Sequence, residues 1–253
     1  ICFQPLIDLR TGAIVKAEAL IRWHHPSLGI LPPGKFLQIV EDVGLGPRLG
    51  EWVLRAACTQ ARSWLAAGHP SIQLAVNLSD SQFHDAQLTD IVANVLAETK
   101  FPSELLDLEL TETIMFRSPE HAIATLQSLR ILGVQLSPDD FGTRFSSLRH
   151  LQQYPLNALK IDQSFIRNIA ENERDAAITR MVIAMAHGLG LRTLAEGVET
   201  QEQLDFLREL GCEVVQGFIL SQPLATDLFL PFVAKHIATG AGRRFTSFRR
   251  FAL

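Results

Sequence analysis

The order of short strands and helices constrains the fold of this chain more than any other feature of its sequence. Segments with strand character occupy residues 3–8, 15–23, 73–78, 105–111, 134–137, 158–162, 192–195 and 213–215. Helical spacing of apolar residues fills the gaps between them, in residues 50–67, 88–99, 119–132, 176–189 and 200–210. Strands and helices in this alternation predict a (β/α)8 TIM-like barrel of the α/β class, and 253 residues is an ordinary length for one such domain.

The connection between the first two strands departs from this pattern. Only a few residues separate them, Arg10, Thr11, Gly12 and Ala13. That is too short for a crossover helix, so we expect a hairpin and an antiparallel first strand.

The sequence shows no repeat and no linker that would divide it. We therefore expect one domain over residues 1–240, followed by a basic C-terminal tail over residues 241–253. We interpret the tail as a solvated end, although its arginines alternate with phenylalanines: Arg243, Arg244, Phe245, Phe248, Arg249, Arg250 and Phe251.

Composition indicates which kinds of partner and which cellular compartment to expect for this chain. A formal net charge of −4 argues against binding to a nucleic-acid polymer, which usually requires a basic surface. The 3 cysteines lack CxxC spacing and favour a reducing, cytoplasmic setting. No apolar run is long enough to span a membrane, so we expect no membrane contact by this segment itself. Because the chain begins at Ile1 without methionine, we interpret it as a piece of a longer, sensor-linked or membrane-attached protein.

Polar side chains stand in or just after most of the predicted strands. They are Glu18, Asn77, Glu109, Glu112, Asp139, Asp140, Lys160, Glu196, Glu199 and Gln216. In a barrel of parallel strands these positions meet at one mouth, where active sites are found. The clustering favours an enzyme, since buried unpaired charge is rarely kept without a function.

So many carboxylates in one place repel one another unless cations neutralise them. Oxygen-only ligands, with the Asn77 amide as the neutral member, select Mg²⁺ or Mn²⁺ over zinc. The adjacent Asp139 and Asp140 suit two ions, which together activate water and stabilise the leaving oxygen of a phosphodiester. A lysine in the same cavity, Lys160, is expected to orient or deprotonate that water, because burial near cations lowers the pKa of an amine.

Several motifs in this order are recognisable. They are FQPLIDL at the start of the chain, EALIRW from Glu18, VNLS from Val76, ELTE from Glu109, DDFGT from Asp139, LKID from Leu159, AEGVET from Ala195 and QGF from Gln216. Over residues 3–232 the chain resembles the EAL family of bacterial cyclic di-GMP phosphodiesterases. The resemblance implies a barrel with one reversed strand, opening of cyclic di-GMP to linear pGpG, and a homodimer.

The resemblance also implies a role for each matched residue. One metal ion would be bound by Glu18, Asn77, Glu109 and Asp139, and a second by Asp140 and Glu196. Lys160 would hold the attacking water as the general base, and Glu199 would support the network of metal ions and water. Substrate would contact Gln4 through a guanine, Arg22 through a phosphate, and Gln216 at the far wall. Glu112 would anchor the loop after the fifth strand.

Two departures from the family pattern affect the same region. Arg144 and Phe145 follow DDFGT where a glycine and a tyrosine are usual, and Pro138 precedes the aspartate pair. Because proline removes a ladder donor, we expect the fifth strand to end early. The altered loop leaves open a receptor that binds cyclic di-GMP without cutting it. A third reading is a barrel enzyme in which Lys160 abstracts a proton beside a metal-bound carboxylate.

Overall fold

The structure, a computed structural model, describes residues 1–139, 141–142, 151–242 and 245. Its strands are β1 (Cys2–Asp8), β2 (Ile14–Leu20), β3 (Trp23–His25), β4 (Gly29–Leu31), β5 (Gln73–Leu78), β6 (Leu106–Thr111), β7 (Gln135–Asp139), β8 (Ala158–Ile161), β9 (Arg192–Ala195), β10 (Val214–Val215) and β11 (Leu224–Ala225). The main sheet has the order β7-β6-β5-β2-β1-β10-β9-β8, with β11 paired to β1. β7 and β8 are the two ends of this order, and a bridge between Phe141, just after β7, and Ile161 of β8 brings them together. The sheet therefore closes into the predicted barrel.

The expected antiparallel first strand is confirmed. β1 runs antiparallel to β2 and to β10, whereas β2 pairs with β5 in parallel. The turn between β1 and β2 is closed by Asp8, whose carboxylate accepts hydrogen bonds from the N–H groups of Arg10 and Thr11. Gly12 has φ of +70°, a conformation that costs glycine little. A Cβ atom there would also lie 2.2 Å from the carbonyl oxygen of Gly242, so the turn fits under the C-terminal segment.

Helices cover the outside of the sheet. They are α1 (Leu37–Asp42), α2 (Gly46–Ala66), α3 (Asp80–Phe83), α4 (Leu88–Thr99), α5 (Glu112–Arg117), α6 (Pro119–Ile131), α7 (Gln163–Ile166), α8 (Glu173–Gly188), α9 (Gln201–Glu209) and α10 (Thr226–Ala238). The Trp64 ring of α2 lies 4.8 Å from the Phe3 ring of β1 and 4.6 Å from the Phe229 ring of α10. These aromatic contacts pack α2 and α10 against the same strand, β1. Among the described residues, no helix is both long and apolar enough to cross a membrane.

The fifth barrel strand does not end early. β7 continues through Pro138 to Asp139, and Pro138 is in register with Leu110 of β6. The main chain of Leu136, two residues before Pro138, faces the side of β7 opposite to β6. There the Leu136 C=O accepts a hydrogen bond from the Asn157 N–H at 2.9 Å. Pro138 faces that same side, where the described part of the chain shows a bridge to β8 but no continuous ladder. The missing N–H therefore removes no bond to β6, and proline is accommodated.

The C-terminal segment closes the end of the barrel opposite the mouth. His236 of α10 is buried, with its ring nitrogen 2.8 Å from the carbonyl oxygen of Gly12. Beyond α10, the Phe245 side chain is 1% exposed, and Arg208 donates a hydrogen bond to its C=O group. The other tail residues after Gly242 lie outside the described part of the structure.

Candidate active site

Lys160 stands at the centre of the barrel mouth. Its ammonium nitrogen lies 2.5 Å from Oε2 of Glu109, 2.6 Å from Oε1 of Glu196 and 3.0 Å from Oδ1 of Asp139. The lysine is 1% exposed, so these carboxylates replace water as its partners. We call Glu18, Glu109, Asp139, Lys160 and Glu196 the upper cluster.

Amide side chains orient the remaining member of the upper cluster. Asn77 of β5 donates to Oε1 of Glu18 at 2.7 Å, and Gln216 donates to Oε2 of Glu18 at 2.6 Å. The Gln216 amide also lies 3.0 Å from Oε1 of Gln4, whose own amide donates to the Ser221 carbonyl at 3.2 Å. Because β1 is reversed, Gln4 is in register with Glu18, and the start of β1 lies at the mouth. The structure thus brings together residues from eight strands or strand ends: Gln4, Glu18, Asn77, Glu109, Asp139, Lys160, Glu196 and Gln216.

Backbone contacts fix the loops that follow β9 and β10. The Val198 N–H donates to the Gln216 C=O at 3.0 Å, and the Ile219 N–H donates to the Val198 C=O at 3.0 Å. A Cβ atom on Gly217 would lie 2.0 Å from the Val198 carbonyl oxygen, so only glycine permits this approach. The loop after β9 is also closed by Gln203, whose side-chain oxygen accepts from the N–H groups of Glu199 and Thr200. The positions of Glu196 and Gln216 are therefore coupled through main chain.

The upper cluster has more negative than positive charge. Its four carboxylates surround one ammonium group, and burial strengthens their mutual repulsion. Burial raises the pKa of Glu109 well above its ordinary value, with Lys160 opposing the shift and Glu18 adding to it. Burial likewise raises the pKa of Glu196 to about 8, and Asp139 and Glu18 add to that shift. The site therefore takes up protons at neutral pH unless other cations enter it.

The pKa of Lys160 is shifted in the direction opposite to our expectation. Burial alone lowers it, but Glu109, Glu196 and Asp139 outweigh burial, and the net pKa lies well above the ordinary value for lysine. In this arrangement the side chain is an ammonium ion that donates to carboxylates. It can accept a proton only after those carboxylates have been neutralised by something else.

The donor set fits divalent cations that prefer oxygen. Among the residues that the structure describes, Glu109 Oε1 and Gln216 Oε1 are buried acceptors without a hydrogen-bond partner, and oxygen atoms of this kind suit such cations. Within residues 1–139, 141–142, 151–242 and 245, however, no group of three acidic, histidine or cysteine side chains is close enough to hold an ion as placed. The carboxylates are instead drawn to Lys160 and to the amides. Asp140, predicted as a ligand of the second ion, lies outside the described residues.

The other predicted site residues lie around this cluster. Arg22 is half-buried, and its guanidinium donates to the Ile21 carbonyl at 2.9 Å. Glu199 is exposed on the loop after β9. Glu112 is 2% exposed at the start of α5, but the loop it is predicted to anchor, with Arg144 and Phe145, lies outside the described residues. The roles proposed for these residues stay predictions.

A large apolar cavity opens beside the upper cluster rather than over it. It has a volume of about 510 Å³ and lies between the ends of β2 and β5 and the helices α1 and α2. Leu20, Ile21, Pro33 and Leu37 contribute to its walls, and Asn77 connects it to the charged residues. The cavity extends the mouth in one direction and could receive a flat apolar group next to the carboxylates.

Sequence reasoning missed a second charged cluster deeper in the barrel. Lys16 of β2 forms a buried ion pair with Asp107 of β6, and the Ser137 hydroxyl of β7 lies 2.9 Å and 3.0 Å from the two Asp107 oxygens. We call Lys16, Asp107 and Ser137 the lower cluster. The signal was present, because Lys16 and Asp107 stand two residues before Glu18 and Glu109, on the same face of their strands.

Comparison with known proteins identifies the family. The profile of the EAL domain matches residues 1–223. The chain is 43% identical over 232 residues to the bifunctional diguanylate cyclase/cyclic di-GMP phosphodiesterase MucR of Pseudomonas aeruginosa, covering 92% of this chain and 34% of MucR. It is 45% identical over 222 residues to the cyclic di-GMP phosphodiesterase NbdA of the same organism, covering 88% of this chain and 28% of NbdA.

Solved structures agree with this comparison. The PaMucR phosphodiesterase in its c-di-GMP complex superimposes with a TM-score of 0.88 at 42% identity, covering 90% of this chain and 92% of that one. The EAL domain of Mycobacterium smegmatis DcpA superimposes with a TM-score of 0.77 at 35% identity, covering 92% of this chain and 95% of that one. The chain spans about a third of the length of the curated relatives named above. The motifs, the barrel with its reversed strand and these matches together show that the chain belongs to the EAL domain family.

Proposed function

We propose that this domain hydrolyses cyclic di-GMP to linear pGpG in bacterial second-messenger signalling, and that it depends on Mg²⁺ or Mn²⁺. The observation that carries the proposal is the upper cluster, in which four carboxylates gather at the mouth of an EAL-family barrel and three of them contact a buried lysine. Relatives at 43% and 45% identity are named as cyclic di-GMP phosphodiesterases, which supports the same substrate here.

The excess negative charge of the upper cluster supports two bound cations. Glu18, Asn77, Glu109 and Asp139 would hold one ion, and Asp140 with Glu196 would hold the other. Bound there, divalent ions lower the pKa of water and stabilise the charge that develops on a leaving phosphate oxygen. Oε1 of Glu109 has no hydrogen-bond partner among the described residues, so a cation would satisfy it without breaking a bond that the structure shows.

The protein's own groups would handle protons and orient substrate. Lys160 is an ammonium while it contacts the charged carboxylates, and it becomes a candidate base for the attacking water once their charge is neutralised. Glu199, on the loop after β9, would support the network of water around the ions. Gln4 and Gln216 present amide groups that suit a guanine edge, and Arg22 presents a guanidinium that suits a phosphate. The apolar cavity beside Asn77 suits one of the two flat bases.

The test is incubation of the domain with cyclic di-GMP and Mn²⁺, with chromatography of the products. We expect pGpG from the unmodified domain and none from Glu18→Ala, which removes the carboxylate held by Asn77 and Gln216. Glu51→Gln serves as a control, since Glu51 lies in an exposed ion pair with Arg55 on α2. Tight binding of intact cyclic di-GMP without pGpG would overturn the hydrolase and establish a receptor.

We also propose that the domain forms a homodimer, as the family resemblance implies. Light scattering at high micromolar concentration measures the mass directly. A purely monomeric species at that concentration would contradict the proposal.

A further inference from the structure

The lower cluster lies one layer beneath the residues to which catalysis has been assigned. We propose that Lys16, Asp107 and Ser137 position the carboxylates of the upper cluster for binding of divalent cations. The proposal rests on the metal-dependent function proposed above and assigns a role to residues outside the site itself. In this proposal, Lys16, Asp107 and Ser137 are positioning residues that contact neither substrate nor metal.

The contacts within the lower cluster are those of a closed, satisfied unit. Lys16 is 5% exposed, Asp107 2% and Ser137 0%. The Lys16 ammonium bonds to Oδ2 of Asp107, and the Ser137 hydroxyl lies within 3.0 Å of both Asp107 oxygens. Charge-assisted bonds of this kind have narrow geometric limits, so they restrain the strands that carry them.

Strand alternation connects the two clusters residue by residue. Lys16 stands two positions before Glu18 on β2, Asp107 two before Glu109 on β6, and Ser137 two before Asp139 on β7. Side chains two apart on a strand project from the same face about 7 Å apart, so each member of the lower cluster sits directly under one carboxylate. A restraint on the lower residue therefore also restrains the backbone position from which the upper carboxylate side chain extends.

The lower ion pair bridges strands that are not neighbours. β5 lies between β2 and β6 in the sheet. Its inward residue at this level is Ala75, on the same face as Asn77, and the small side chain leaves room for Lys16 to reach Asp107. On the other side of the barrel, the layer that contains Lys16 and Asp107 is filled by an apolar cluster of Leu6, Leu194 and Val214. The bridge is thus restricted to the half of the barrel that carries Glu18, Glu109 and Asp139.

Such a restraint matters because the upper carboxylates repel one another. Repulsion drives them apart or toward Lys160, whereas cation binding requires their oxygens to converge. Groups that support metal ligands from behind commonly change metal affinity when they are removed, although they contact no metal.

The experiment compares Mn²⁺ binding to the unmodified domain and to Lys16→Met/Asp107→Asn, measured by the electron paramagnetic resonance signal of free Mn²⁺. The double variant is nearly isosteric and leaves no buried charge unpaired, so it is expected to fold, which thermal unfolding verifies. We expect Mn²⁺ binding to weaken by about ten- to a hundredfold, the range typical of lost supporting groups. We also expect kcat to fall with KM for cyclic di-GMP unchanged.

Leu194→Met is the matched control, because Leu194 stands two residues before Glu196 in the apolar half of the same layer. It should leave Mn²⁺ affinity within about twofold, since a volume-conserving swap disturbs packing little. A folded double variant with unchanged Mn²⁺ affinity would overturn the positioning role alone, while an unmodified domain that binds no Mn²⁺ would overturn both proposals. If the double variant does not fold, Ser137→Ala decides: an effect on Mn²⁺ affinity no larger than that of Leu194→Met overturns the role.

Discussion

The upper and lower clusters each contain a buried lysine in the same barrel, but the upper cluster has an excess of negative charge and the lower cluster is neutral. Lys160 contacts three of the four carboxylates at an open mouth, and two buried acceptor oxygens there have no hydrogen-bond partner within the described part of the chain. Lys16 faces one carboxylate, and Ser137 contacts both oxygens of that carboxylate. In the lower cluster the two charges cancel, and each polar side-chain atom has a hydrogen-bond partner, as expected of a structural ion pair. The upper cluster is satisfied only by added protons or cations, as expected of a site that binds them.

The comparison shows that burial of a lysine with carboxylates does not by itself indicate function. What distinguishes the two sites is whether charge and hydrogen bonds balance within the protein. The surroundings differ in the same sense: a cavity of about 510 Å³ adjoins the mouth, while the space below Lys16 has a volume of about 50 Å³.

The largest expected difference is in catalysis. Lys160→Met should lower kcat for cyclic di-GMP hydrolysis by about 10²- to 10⁴-fold, the usual contribution of a group that handles a proton in the reaction. Product formation measured by chromatography under saturating Mn²⁺ checks this. Residual activity within threefold of the unmodified domain would remove Lys160 from the mechanism. Lys235→Met, at an exposed position on α10, is the control.

The next difference is in stability. Asp107→Asn leaves the Lys16 ammonium buried without its counter-ion, and breaking a buried pair in this way costs about 3–5 kcal/mol of unfolding free energy. Urea denaturation measures the loss. Glu51→Gln breaks an exposed pair with Arg55 and should cost less than about 1 kcal/mol. Equal losses for the two variants would mean that the lower cluster is not held as the structure shows.

A smaller effect should appear in the pH dependence of the unfolding free energy of the metal-free protein. The pKa of Glu196 is raised from an ordinary 4.5 to about 8 in the folded chain, so its contribution to stability is complete below 4.5 and is lost as pH rises through 8. Each proton involved contributes a slope of at most about 1.4 kcal/mol per pH unit. Glu109 shifts in the same direction.

Urea titrations in a chelator between pH 4.5 and 8 test this slope, and Glu196→Gln should flatten it. Addition of Mn²⁺ should also reduce the slope, because a bound cation replaces the protons. A stability that rises across the window would show that the upper carboxylates do not repel one another in solution.

The smallest effect concerns the neutral member of the lower cluster. Ser137→Ala removes one hydrogen bond to a buried carboxylate, which should cost about 1.5 kcal/mol of unfolding free energy. Ser128→Ala removes an exposed hydroxyl that bonds the main chain of its own helix and should cost less. A shift of the urea midpoint no larger in Ser137→Ala than in Ser128→Ala would contradict the assigned contact.

Much of the fold was predictable because its signals are local. Strand length, helical spacing and the short turn at Gly12 predicted the barrel and its reversed strand, and the structure confirms both. The prediction that the fifth strand ends early was wrong. Whether Pro138 costs a hydrogen bond depends on which side of β7 lacks a continuous ladder, and that is a property of the whole sheet. The hairpin of β3 and β4 was not predicted: the predicted second strand ended at Trp23, the first residue of β3, and did not reach β4.

The sequence by itself determined the family, the strand order and the identity of the polar residues at the mouth, because motifs and alternation are properties of consecutive residues. Only the tertiary structure decided which charges meet. Alternation shows that Lys16 and Lys160 both face inward, but the stagger of strands around the barrel selects Asp107 for one and Glu109, Asp139 and Glu196 for the other. That choice sets the direction of each pKa shift, since a buried group responds to the nearest charges in space rather than to its neighbours in sequence.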